Sequence, residues 1–90
     1  MLKIRFSKFA KKFIEKLPPK QKRQVIEKSL SLEVDSLPHD SKPLKGYAGY
    51  FRTDIGEYRI IYSITELIIS IELVDKRNDD QIYRKFRRLF

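Results

Sequence analysis

Cysteine is absent from these 90 residues, which excludes disulfides, thiolate nucleophiles and Cys-based zinc or iron–sulfur sites and makes a reducing cytosol the expected home. Histidine occurs once, at His39, so a Ser–His–Asp arrangement could run only through a residue in a Pro-rich loop. No Gly-rich phosphate loop occurs, and no His or Asp cluster has metal-ligand spacing. Asp79-Asp80 resembles a carboxylate pair but reads as a solvated turn. Neither a metal nor a cofactor is therefore expected. Long apolar runs are also missing: Leu67 to Val74 is the longest, is interrupted by Ser70 and Glu72, and is too short to span a bilayer. Met1-Leu2-Lys3-Ile4-Arg5 carries charge where a signal peptide needs an apolar core. A soluble cytoplasmic protein away from membranes is expected. Acidic residues are in the minority, 12 against 20 Lys and Arg, leaving a formal charge of +8. On so small a body that field favours a polyanion or an acidic protein as partner. The plain alternative is a basic surface with no partner.

What is present is enough for one domain over residues 1–90. A hydrophobic fraction of 41% suits a globular rather than a disordered chain. At this length only about 60–65% of the unfolded surface is buried, so the core is modest.

Leu2, Ile4 and Phe6 alternate with Lys3 and Arg5, as in a half-buried strand. Ser7 is placed to cap a helix bearing Phe9, Ala10, Phe13, Ile14 and Leu17 on one face. Pro18 and Pro19 end that helix and suit the first turn of the next. In the second helix Val25, Ile26, Leu30, Val34 and Leu37 form the apolar stripe, Lys20, Lys22 and Arg23 crowd the outer face, and the end comes by Pro38. Residues 38–49 read as a loop. Tyr50 to Asp54 and Glu57 to Ile64 then form a hairpin about Ile55-Gly56, followed by Leu67 to Val74, a central strand covered on both faces. From Asp79 the tail is a short helix or strand; the spacing of Tyr83, Phe86 and Leu89 or Phe90 leans to helix. The fold class is α+β: an N-terminal strand, an antiparallel helical hairpin, and a three-stranded antiparallel meander in one twisted sheet with the hairpin on one face.

Arginine and tyrosine concentrate in the sheet half, in Tyr50 to Tyr62 and Asp75 to Tyr83. Strand neighbours lie about 4.8 Å apart, which lets Arg52, Arg59 and Arg77 converge. If Tyr58, Ile60 and Tyr62 face the helices, Arg59 and Ile61 face the other way, on an open basic surface. Guanidinium forks bind phosphate bidentately, and tyrosine can stack on an unpaired base or move a proton. Lys45, Lys76, Arg84 and Lys85 are the flanking cations expected to hold RNA. The alternative is that Arg59 and Arg77 merely pair with Asp54, Glu57 or Asp79 on a solvated face.

The two segments Asp54-Ile55-Gly56-Glu57-Tyr58-Arg59-Ile60-Ile61-Tyr62 and Lys76-Arg77-Asn78-Asp79-Asp80-Gln81-Ile82-Tyr83, with Leu44-Lys45-Gly46, resemble the RelE-type toxins of the RelE/ParE toxin–antitoxin superfamily, nearly end to end. The resemblance implies an endoribonuclease that occupies the ribosomal A site. It would cleave mRNA by metal-independent attack of the ribose 2′-hydroxyl and so arrest translation. It makes Arg59, Arg77 and Tyr83 catalytic, with Arg52 the first of two basic positions in its strand. The second falls on Asp54, where a carboxylate orients a guanidinium, moves a proton or weakens cleavage. It also implies a RelB-like antitoxin, assembling with the toxin as a hetero-oligomer; Phe86, Leu89 and Phe90 read as an apolar patch at the tail that could move when the antitoxin binds, or as a tail helix docked on the core. The superfamily includes ParE-like gyrase poisons, so a DNA gyrase inhibitor remains a rival, as does a non-catalytic RNA- or ribosome-binding relative. The spaced Arg59, Arg77 and Tyr83 count against the first, and Asp54 keeps the second open.

Overall fold

A computed structural model describes residues 2–77 and 80–90. Of the sequence expectations, those on Asn78 and Asp79 lie outside the described residues. β1 (Lys3–Phe6) leads into α1 (Lys8–Glu15), capped by the Ser7 hydroxyl, which accepts the Ala10 N–H at 3.1 Å and donates to the Glu72 carbonyl at 2.6 Å. α2 (Pro19–Ser31) begins with Pro19, whose missing N–H costs nothing in a first turn. β2 (Lys42–Pro43), β3 (Tyr50–Ile55), β4 (Tyr58–Ile64) and β5 (Ile68–Lys76) follow, and α3 (Gln81–Leu89) closes the chain. The tail is thus a helix.

The five strands lie in the order β1-β5-β4-β3-β2. The meander β3-β4-β5 is antiparallel as expected, whereas β1 pairs parallel to β5, with Ile4 opposite Ile69 and Phe6 opposite Ile71. The helical hairpin carries the chain from β1 at one edge of the sheet to β2 at the other, so the first strand lies on the far side of the meander. The two-residue β2 was not foreseen, because Pro43 argues against a strand; it sits on the sheet edge, where proline is tolerated.

Two apolar clusters flank the sheet. Ala10, Ile14, Val25 and Leu32 from the helical hairpin pack on Ile60, Tyr62, Ile69, Ile71 and Val74. On the other face Ile82 and Phe86 of α3 pack with Leu44 on Ile61 and Leu73. This corrects one expectation and decides between two others. The Arg59 face is not open, since Ile61 is fully buried beneath α3. Of the two alternatives for the tail, the docked helix is the one found: Phe86 is core, while Leu89 and Phe90 stay partly exposed. The amphipathic tail has helical spacing and finds an apolar sheet face uncovered, so it docks there.

The α2 stripe is corrected too. Val25, Ser29 and Leu32 face the core, whereas Leu30, Val34 and Leu37 are exposed. The helix ends at Ser31 rather than near Pro38, so later residues leave its periodicity.

Candidate functional site

The pleat decides who meets whom. Asp54 of β3 lies opposite Arg59 of β4, which lies opposite Asp75 of β5, so these side chains share the α3 face at one end of the sheet. Arg77 leaves β5 there, held by a bond from its backbone N–H to the Glu57 carbonyl at 3.0 Å. Tyr83, one residue after the buried Ile82, is brought over them by the first turns of α3.

Arg59 is the hub. Its Nε donates to Asp54 Oδ1 at 2.7 Å and one terminal nitrogen donates to Asp54 Oδ2 at 3.1 Å, a bidentate fork. The other terminal nitrogen donates to the Tyr83 hydroxyl at 2.8 Å, with the guanidinium carbon 5.7 Å from the ring centre. The Asp54 hydrogen bonds raise the Arg59 guanidinium above its ordinary value, against the opposing effect of burial. Arg77 approaches the same carboxylate at 3.8 Å and is about half exposed. Both Asp54 oxygens are engaged by Arg59. Asp54 therefore orients a guanidinium, one of the roles considered for it, and the pairing foreseen as the plain alternative exists within the cluster.

Beside Tyr83 lies a cavity of about 300 Å³, lined by Pro43, Leu44, Lys45, Tyr47, Arg52, Tyr83, Phe86 and Arg87. It joins Arg52 and Lys45 to the site through the Tyr83 ring. The other expected RNA-binding cations are dispersed. Lys85 is bound to Asp75 Oδ2 at 2.6 Å, pinning α3 to β5. Lys76 lies opposite Tyr58 on the hairpin side of the sheet and is exposed, as is Arg84. His39 is exposed in its loop. Arg87 and Tyr47 were missed. Arg87 follows Tyr83 by four residues, a helical spacing that could have flagged it, whereas Tyr47 in an irregular loop gives no such signal. Among the described residues no three of His, Asp or Glu gather as a metal site, and no helix is long and apolar enough to cross a membrane.

The family model of the ParE toxin of the type II toxin–antitoxin system, parDE, matches residues 4–81. This chain belongs to the ParE toxin family. It is a toxin of a type II toxin–antitoxin system, RelE-type within the RelE/ParE superfamily. Among solved structures, the toxin is 32% identical to a chain of the RelBE2 toxin–antitoxin complex of Mycobacterium tuberculosis, over 84% of this chain and 98% of that one, with a TM-score of 0.74. It is 26% identical to a chain of the archaeal RelE–RelB complex of Pyrococcus horikoshii, over 86% and 96%, with a TM-score of 0.76. Isolated Escherichia coli RelE matches over the full length of both chains at 17% identity and a TM-score of 0.74, a likeness of fold alone. No curated protein matches the toxin significantly.

Proposed function

We propose that residues 1–90 form one toxin domain acting in the cytoplasm as a ribosome-dependent endoribonuclease that cuts mRNA in the A site. The observation carrying this reading is the 2.8 Å bond from Arg59 to the Tyr83 hydroxyl, with Arg77 beside the same carboxylate. In such a reaction the ribose 2′-hydroxyl gives its proton to water, its oxygen attacks phosphorus and the bond to the 5′-oxygen breaks. The products are a 2′,3′-cyclic phosphate and a 5′-hydroxyl. Arg59 and Arg77 would stabilise the charge gathering on the phosphoryl oxygens, each well-placed donor contributing roughly 3–4 kcal/mol. Because Tyr83 accepts from Arg59, its own O–H is free to point at the departing 5′-oxygen and protonate it. Asp54, engaged by Arg59, is poorly placed to be the base. The site is therefore chemically weak, and in-line positioning by the ribosome would supply much of the rate. The neighbouring cavity, with Lys45, Arg52 and Arg87 around the Tyr47 ring, would receive a flanking unpaired nucleotide.

The partner in this reading is a RelB-like antitoxin, acidic where it meets the Arg face, forming a hetero-oligomer with the toxin. Chains in antitoxin complexes being similar to this one supports it.

Arg77→Ala and Tyr83→Phe should each abolish message cleavage in a translation extract while ribosome binding persists, read by primer extension and sedimentation. Intact cleavage in either variant would remove the site assignment. A second reading, gyrase inhibition, is favoured by the ParE family match. Plasmid supercoiling measured in the same cells separates the two: relaxed or linear plasmid with intact messages would replace the nuclease reading.

A further inference from the structure

The carboxylate that clamps Arg59 is itself anchored from outside the sheet. β2 supplies β3 with only two residues of partner, and that pairing ends where Lys42 faces Arg52. Past that point, among the described residues, the outer edge of β3 has no strand beside it, and at Asp54 the side chain of Asp40 takes the strand's place. Asp40 Oδ2 accepts the Asp54 N–H at 3.0 Å and the Thr53 hydroxyl at 2.8 Å; its Oδ1 accepts from the Lys28 ammonium of α2 at 3.3 Å. Thr53 is fully buried, so this hydroxyl is a fixed point. A continuous chain of bonds then runs from α2 to α3: Lys28, Asp40, the Asp54 backbone, the Asp54 carboxylate, Arg59, Tyr83.

We propose that Asp40 is a positioning residue for the Arg59–Tyr83 pair, acting by fixing the Asp54 backbone from which the guanidinium clamp projects. This rests on the reading of that pair as the reactive centre. The geometric reason is leverage. A bidentate fork tolerates little rotation of its carboxylate, and an edge strand freed of its last partner twists and frays. Asp40 touches neither Arg59 nor Tyr83 in any bond above, yet it governs the direction from which Asp54 reaches them.

The test compares the full-length toxin with Asp40→Ala and Asp40→Asn, using two readouts: hydrogen exchange at the Asp54 amide and the Arg59 Nε–H, and message cleavage in a translation extract. Asp40→Ala should speed both exchange rates about tenfold, the loss of a hydrogen bond to a charged group. It should lower kcat by about tenfold or more with KM little changed, since misplacement harms the reacting geometry more than binding. Asp40→Asn keeps an acceptor oxygen and should restore Asp54 amide protection and most of the turnover. Should Asp40→Ala not fold, Lys28→Ala loosens Asp40 more gently, and about a twofold rise in both rates is then expected. Unchanged Arg59 exchange in a folded variant overturns the proposal, and so does an Asp40→Asn protein no better than Asp40→Ala. The exchange readout needs no cleavage. A wild-type toxin that cuts no message while Arg59 responds to Asp40 would therefore support the positioning role and remove the nuclease reading alone.

Discussion

Asp54 is the residue that most changes what this site can be. A carboxylate among cations that bind phosphate would be a liability if it faced the ligand. Here it turns into the protein, and Arg59 covers both of its oxygens. Only about a quarter of its side chain is exposed, so removing either partner strands a charge. Asp54→Ala should destabilise the fold by about 1.5–3 kcal/mol in urea denaturation, the range for hydrogen bonds to charged groups. It should also lower cleavage, because Arg59 loses the fork that aims it. An unchanged urea midpoint would mean the pair is solvent-screened and contributes nothing to the fold. The sequence showed the acid among the arginines and offered three roles for it; choosing among them needed the distance to Arg59 Nε.

At the scale of elements, α3 does two jobs with alternating residues. Ile82 and Phe86 anchor it to Ile61 and Leu73, and Tyr83 and Arg87 reach the site from the adjoining face. Phe86 sets its edge or face against Tyr47, Tyr50 and Phe90, with ring centres 4.9, 5.3 and 5.0 Å away. Phe86→Ala should therefore cost about 3–5 kcal/mol in urea denaturation. It should also abolish cleavage, since Tyr83 is held over Arg59 only while the helix is docked. Loss of stability with full cleavage would show that α3 is not what places Tyr83. The tail only leaned to helix in sequence because so short a stretch carries few periodic residues, and the decision came from an apolar sheet face left uncovered.

For the molecule as a whole, charge and pH are the levers. With a formal charge of +8 and a cluster of Lys45, Arg52, Arg59, Arg77 and Arg87 on one side, RNA binding should weaken steeply with salt. If three phosphates are neutralised, log K against log salt should fall with a slope of about −2, measured by fluorescence anisotropy on a single-stranded RNA. A flat dependence would argue against nucleic acid as the target of this face. Burial alone would raise the Asp40 carboxyl, but hydrogen bonds from the Asp54 amide, the Thr53 hydroxyl and Lys28 hold it down to about 2, against 3.8 when unfolded. The folded state therefore binds this proton less tightly than the unfolded one. Its contribution is full above pH 3.8 and is lost as pH falls towards 2. At the other limb, burial pushes the Tyr62 phenol up to about 12 from 10.0, so its contribution is present below pH 10.0 and lost as pH rises through about 12. Urea midpoints across pH should show both limbs, and Asp40→Asn should flatten the acid one.

The sequence by itself determined the strand, the capped helix, the proline break and the meander, because each rests on short-range rules: a period of two or 3.6, a cap, a fixed φ. It also placed Arg59, Arg77 and Tyr83 as partners, through a resemblance carried by local motifs. The parallel pairing of β1, the inward face of α2, the burial of Ile61 beneath α3 and the Asp40 anchor were decided only in three dimensions. Each depends on which apolar surface remains to be covered, or which edge amide remains to be satisfied, once the neighbouring elements are in place. Such demands fall between residues far apart in the chain, and no local pattern encodes them.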